Sequence, residues 1–482
     1  MQKRHLITVL ILLVGGLILA ACTPQTVEVT RVVEGETIVE TVTEQIEVTR
    51  VVEGEVVTEV QEVEVTRVVE SDIDPSACNL EPPAEPVEVR MLGTAFPITE
   101  FFAGEFEKCN DVENLTVSTQ LMASGDQLEQ QRLGLADGGV APWAIIHTTP
   151  DSVEFIDQGL ILPLNDLVEK YWEEYRLWEI PQTAWDVSTV DGVIYSVPFM
   201  SNTLHMFYRT DLFEQYNLEP PTTYDGVIAA CEVLKDEPSI DIPFTMNLHA
   251  GWAWDIEFFH FIRSFGGDYL NEDNTPAFNS EAGIAALTKM QEVVDACMGP
   301  EGLTYSIDDS EIGMETGGLA FVQIWASRAA NMDNPELSDF VGQIGFAPAA
   351  APNPGGPLGG SAWLDAYAIP VNTDVDHDLA FRIIMEALDF QSMKEGAELG
   401  ITLRTSVAEA GAGARYLPAA SETIANGVGA FPTNPALPLA SAALGNWLPL
   451  VGSGELTPEE ALQGAAEEYI TQATEQGFLE EE

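Results

Sequence analysis

The sequence predicts an α/β fold divided into two lobes, and three observations carry that prediction. About 395 of the 482 residues follow Val87, more than one hydrophobic core usually holds, so two lobes are expected. Strand-like and helix-like periods alternate along this stretch, which implies an α/β architecture with largely parallel sheets. Helix-start signals recur, most fully at Thr457-Pro458-Glu459-Glu460, where an N-cap, a proline at the first helical position and a capping-box glutamate stand together.

Taken in order, Lys3, Arg4 and His5 precede an uncharged apolar run from Leu6 to Ala21 that ends at Leu19-Ala20-Ala21-Cys22. The run is short for a ~20-residue membrane span, and small residues before a cysteine suit a lipoprotein signal peptidase. Residues 1–22 therefore read as a signal peptide ending at a lipidated Cys22, whose diacylglyceryl group and N-acyl chain, such as palmitate, anchor the protein.

Residues 23–86 change character. Val, Thr and Glu dominate, and one phrase recurs at Val27–Glu34, Ile46–Glu53 and Val63–Glu70. With no aromatic residue in that repeat, the segment is expected to stay an extended stalk, closed by Pro75, Pro82, Pro83 and Pro86. No heptad of apolar positions persists across the repeats to suggest a coiled coil.

Beyond the stalk, Val87–Leu92 and Leu115–Thr119 alternate like strands, whereas Leu164, Leu167, Val168 and Tyr171 share a helix face. A helix opened by Ser280 carries Ile284, Leu287, Val294 and Cys297 on one side, and Leu462, Ala465, Ala466 and Tyr469 follow the Thr457 cap. Cys78, Cys109, Cys231 and Cys297 lack the spacing of zinc or redox sites and fit an oxidising compartment. Four cysteines allow three pairings; Cys78 with Cys109 and Cys231 with Cys297 keeps each pair within one region. Lys and Arg total 19 against 78 Asp and Glu, a formal charge of −59 that repels nucleic acid and acidic headgroups.

Several phrases resemble the family 1 extracellular solute-binding proteins, the group that includes maltose-binding proteins. They are Gly159–Val168, Asp191–Phe199 running on through Ser201–Phe213 to Pro220–Asp225, Gly266–Leu270, Gly317–Trp325, Gly359-Gly360 with Ala366–Pro370, and Thr457–Leu462. Six matches stand in the family's order. The resemblance implies a type II, periplasmic-binding-protein-like fold whose ligand cleft lies between two lobes joined by three crossings. Those crossings are expected near Phe199–Asn202, Leu358–Trp363 and Asn434–Pro438. One lobe then holds 87–201 with 362–434, and the other 203–358 with 438–478. The sequence departs from the family at Ser361–Asp365, which lengthens the second crossing, and at Gly226.

By the same resemblance the chain is the extracytoplasmic component of an ABC importer, lipid-anchored outside the cell membrane, monomeric, without cofactor or bound metal, delivering a sugar or oligosaccharide to the permease. A sugar site needs planar polar groups around the ring and flat aromatics over its faces. The implied ligand residues are Thr94, Phe96, Asp126, His147 and Asp151 in the first lobe. Phe199, Asn202, Gly360, Trp363 and Asp365 lie at crossings, and Trp252, Trp254 and Trp325 in the second lobe. Trp172, Trp178 and Trp447 lie in helical patterns and are expected to pack.

Other ligands of the same fold, namely polyols, polyamines and peptides, stay open. A surface glycoside hydrolase needs two carboxylates ~5–9.5 Å apart, which 78 acids do not exclude. The chain carries no G-x-S-x-G, H-E-x-x-H or P-loop motif. Asp374–Asp378 has part of an EF-hand spacing but Leu379 in place of the loop glycine, and reads as helix capping.

Overall fold

The computed structural model describes residues 37–52, 55–70, 77–136, 139–249, 252–411 and 413–480; the side chains of 37–70 and of Ser124, Asp151 and Trp252 lie outside that description. Cys22 and the segment before it also lie outside the described residues. The chain divides into two compact units after Asp72.

The first unit corrects the expectation of an unpaired stalk. Strand β1 (Thr37–Val52) pairs antiparallel with β2 (Glu55–Glu70) along their full length, from Thr37 opposite Glu70 to Val52 opposite Glu55. The small apolar area argued against a packed core, and the pairing here is backbone to backbone along two strands. β-Branched Val, Ile and Thr at alternate positions favour a paired strand over an open coil.

In the second unit, β3 (Val87–Thr94), β4 (Leu115–Met122) and β5 (Ile145–Thr148) form the parallel part of a six-stranded sheet. A small hairpin, β6 (Thr189–Val190) and β7 (Val193–Ile194), precedes β8 (Val197–Asn202), which crosses into β9 (Leu204–Arg209) of the other lobe at Thr203. The second lobe's sheet is built from β9, β10 (Ile242–Thr245), β11 (Leu319–Trp325) and β12 (Ile344–Ala347), in the order β10-β11-β9-β12. The chain then returns through β13 (Trp363–Ala368) and β14 (Ile401–Thr402), completing the first sheet as β14-β8-β13-β5-β3-β4.

The sheets are mixed, not largely parallel as expected. β13 runs antiparallel to both β5 and β8, β14 is antiparallel to β8, and β9 is antiparallel to β11 and β12. The cause is the crossings. A strand that returns from the neighbouring lobe enters the sheet from the opposite end, and local periodicity carries no trace of that direction.

Each lobe has its own core. Phe102, Phe106, Phe199, Tyr367 and Phe381 are buried between the first sheet and its helices, and Phe244, Phe259, Phe321, Leu444 and Tyr469 fill the second. The disulfide Cys78–Cys109 fastens the entering segment beside helix Pro97–Glu107, and Cys231–Cys297 joins helices Tyr224–Leu234 and Glu281–Cys297. The capping box at Thr457 is present, with Glu460 accepting from the Thr457 N–H at 3.0 Å. Asp376 caps its helix by accepting from Leu379 N at 3.0 Å.

Two further expectations change. Helix Leu417–Asn426 lies against the second lobe, where Tyr416 and Ala420 share a core with Phe207, Ile242 and Ile344. The chain therefore leaves the first lobe between Val407 and Tyr416, well before Asn434. The physical reason is apolar: the Tyr416 ring stacks 6.1 Å from His205 of β9, a contact that only the fold reveals. Trp178, expected to pack, is 51% exposed with the Arg176 guanidinium 5.4 Å from its ring.

Candidate functional site

The second crossing is stitched to a segment of the second lobe. Segment 358–362 runs parallel to 426–431 and is bonded to it: Leu358 N donates to Asn426 O at 2.9 Å, Val428 N to Gly360 O at 3.0 Å and Ala362 N to Gly429 O at 2.9 Å. Both strands touch at glycine, since a Cβ on Gly427 would lie 2.1 Å from Gly360 O. At the first crossing, Asn202 Nδ2 donates to Ser327 Oγ at 3.0 Å, and its Oδ1 accepts from Thr203 N and Ser327 N.

Above this junction stands an aromatic pair drawn from both lobes. Trp325 ends β11 and Trp363 begins β13; their rings meet edge to face at 5.5 Å, and each residue is 9% exposed. Phe431 lies 4.9 Å from Trp363 on the other side. His260, fully buried, sits 5.9 Å from Trp325. Its Nδ1 lies 2.7 Å from the Ile256 carbonyl and so carries the proton, leaving Nε2 to accept from Ser361 Oγ at 2.9 Å. Burial pushes this imidazole down to about 4, so it stays neutral and the Ser361 link holds at neutral pH.

On the first lobe, the carboxyl ends of β3 and β5 carry a polar network. Thr94 N donates to His147 Nδ1 at 3.3 Å, which places the His147 proton on Nε2, 2.8 Å from Asp365 Oδ1. Gln127 and Gln131, on helix Ser124–Leu135, both donate to the His147 carbonyl, at 2.9 and 2.7 Å. Asp365 lies two residues from Trp363 on β13, so network and aromatic pair share one edge of the sheet. In open α/β sheets, that edge is where ligands bind.

The structure thus brings together Thr94, His147, Asn202, Trp325, Trp363 and Asp365. Phe96 joins them, its ring 6.3 Å from His147. Gly360 is packed inside the junction, where a Cβ would meet Leu204 O at 2.7 Å, and no side chain could face a ligand there. Asp126 is exposed in the first turn of its helix. The side chains of Asp151 and Trp252 lie outside the described residues.

Two expected ligand residues belong to cores instead. Phe199 is fully buried, stacked 4.4 Å from Tyr367 in the first lobe. Trp254 is 3% exposed and packs against Gly452 in the second. Nearness to a crossing or to a loop misplaced them: Phe199 points to the sheet's inner face, and Trp254 is already inside helix Trp252–Ser264.

A small cavity of about 40 Å³ beside the end of β5 was not foreseen; Thr148, Thr149, Ser188, Tyr195, Ser196 and Thr433 are among its lining residues. Its hydroxyls come from four separate segments, and the run Thr148-Thr149 at the end of a parallel strand was the only local signal. A larger open groove on the second lobe, near Arg263 and Asp268, contains none of the expected residues. Among the described residues no helix is long and apolar enough to cross a membrane.

Residues 96–384 match the family model for bacterial extracellular solute-binding proteins. An uncharacterised ABC transporter extracellular-binding protein of Pyrococcus horikoshii is 35% identical over 134 residues, 26% of this chain and 30% of that protein. A lactose-binding protein of Rhizobium radiobacter is 24% identical over 314 residues, covering 60% of this chain and 68% of its own length. The chain therefore spans under a third of the P. horikoshii relative it matches. Among solved structures, an ABC transporter solute-binding protein from Agrobacterium radiobacter in complex with ribitol superposes with a TM-score of 0.72 at 22% identity, over 81% of this chain and 100% of that one. With the two lobes, the shared junction and the matched span in hand, the chain belongs to the bacterial extracellular solute-binding proteins.

Proposed function

We propose that this protein captures a sugar or polyol between its lobes and presents it, chemically unchanged, to the permease of an ABC importer. The observation that carries the reading is the Trp325–Trp363 pair, carried by one strand from each lobe, beside the first and second crossings. Flat apolar faces suit the C–H surface of a sugar, and the polar row of Thr94, His147 and Asp365 beside them suits its hydroxyls. The lactose and ribitol bound by the relatives support the same ligand class. The protein acts as a monomer held outside the membrane through Cys22, a reading supported by the apolar run and the Ala-Ala-Cys ending.

Both indoles are 9% exposed, so a ligand reaches their faces only when the lobes part. The first crossing is a single residue, Thr203, the second is the short segment 358–362, and the third lies between Val407 and Tyr416; crossings this few and short permit rotation with little repacking inside either lobe. A ligand touching both lobes then stabilises the closed form by its differential affinity. Thermal-shift screening against sugars and polyols tests this, because ligand at 100 times its Kd adds about 2.7 kcal/mol of stability. For the compound that responds, scattering should show compaction, and Trp325→Ala should weaken binding by about 1–3 kcal/mol. Tight binding without compaction, or conversion of the ligand into product, defeats the reading.

A further inference from the structure

We infer that Asp365 makes the cleft selective for neutral polyhydroxyl ligands against acidic ones. This rests on the capture reading above and deepens it. Asp365 is 3% exposed, and its Oδ1 accepts from His147 Nε2 at 2.8 Å. The imidazole cannot turn to offer anything more, since Thr94 N occupies Nδ1. Among the described residues, no donor reaches the other carboxylate oxygen, Oδ2, although it is fully buried. The amide oxygen of Gln131, whose nitrogen holds the His147 carbonyl, is likewise buried with no donor.

Both atoms are acceptors, and they flank the same histidine. An acceptor buried away from water without a partner is costly, and more so when it is charged. The group that relieves them must donate. A hydroxyl does so, whereas a carboxylate or phosphate brings only acceptors and sets a second negative charge against Asp365, in a chain of formal charge −59. An ammonium also donates, and a neutral His147 N–H leaves the Asp365 charge uncompensated, so the discrimination is against anions and not against cations. The hydroxyls of Thr148, Tyr195 and Ser196 beside β5 can both donate and accept, which again suits hydroxyl partners.

The test is calorimetric titration of the full chain with ribitol, mannitol, maltose and lactose, and with the aldonic acids that correspond to them. Neutral compounds should bind, and the matching acids should bind at least about tenfold more weakly. Asp365→Asn keeps an oxygen for His147 Nε2, so the fold should survive; circular dichroism checks this. The variant should lose about ten- to a hundredfold in affinity for the neutral ligand and narrow the gap to the acid. If the variant does not fold, the wild-type panel decides by itself. An acid that binds as tightly as its neutral counterpart, or a folded Asp365→Asn with unchanged affinity and selectivity, overturns the inference while leaving sugar capture intact. Silence across all neutral compounds overturns the capture reading, and this inference with it.

Discussion

Replacing Gly427 with alanine tests the junction at its tightest point. The backbone there, φ −85° and ψ −163°, is open to any residue, so the effect is steric and not conformational strain. An added Cβ would stand 2.1 Å from Gly360 O and 2.4 Å from Thr423 O, both main-chain atoms with no rotamer to escape into. Relief to an ordinary contact needs more than about 1 Å of separation, which the Val428–Gly360 bond of 3.0 Å does not survive and which stretches its neighbours at Leu358 and Ala362. Overpacking costs about 1–3 kcal/mol, and each lost backbone bond adds about 0.5–1.5 kcal/mol. A loss of roughly 2–4 kcal/mol is expected, read as a lower urea midpoint. Ligand affinity should fall with it, because the same bonds hold Ser361 and Trp363 in place. Gly104→Ala is the control: nothing lies near its Cβ position within helix Pro97–Glu107, and about 0.5–1 kcal/mol should be gained. A Gly427→Ala protein within about 0.5 kcal/mol of the parent, with unchanged affinity, refutes the reasoning.

Two further outcomes follow from the cores. Cys231→Ala with Cys297→Ala removes the bridge between two helices of the second lobe and should cost about 2–5 kcal/mol in urea unfolding, with Cys78–Cys109 still recovered by mass spectrometry. Glu257 is buried, and desolvation pushes its carboxyl up to about 8, while Glu315 is raised to about 7. As pH climbs from the usual carboxylate range to 8, the unfolded chain releases these protons before the folded one, so stability falls. His205 and His260, each held at about 4, oppose that trend only below their unfolded value of about 6.5. Stability should therefore decline between about pH 6.5 and 8, and Glu257→Gln should flatten the decline. A slope unchanged in that variant removes Glu257 from the account.

Much of the fold was legible because it is written locally. The caps at Ser280, Thr457 and Asp376, the β3 and β4 alternation and the two cysteine pairs each depend on residues near in sequence or within one region. Strand direction was not legible. β13 enters its sheet from the far lobe, and its pattern reads the same either way. The site shows the same divide. Trp325 and Trp363 stand at strand ends and keep 9% exposure at the margin of the second lobe's core, while Phe199 and Trp254, equally aromatic and equally near loops, lie deeper. Only the pairing of β8 with β13 settles which face Phe199 takes, and Trp254 is buried by the approach of Gly452 from a helix about 200 residues later. Asn202 was expected to meet the ligand, yet each of its polar atoms is engaged by Thr203 and Ser327, which makes it a latch between lobes.

The Cys78–Cys109 bridge has a mechanical consequence. Tension applied to the N-terminal segment reaches the folded unit at Cys78 and passes through the sulfurs to Cys109, bypassing everything between. Strand β3, the central member that pairs with both β4 and β5, lies inside that covalent ring, as does helix Pro97–Glu107. A tether drawn taut therefore cannot unzip β3 one bond at a time. It must instead load the segment after Cys109, where Asn110 is clipped to both the N–H and the carbonyl of Val117. The sheet edge that carries Thr94 is mechanically shielded from tension on the N-terminal segment.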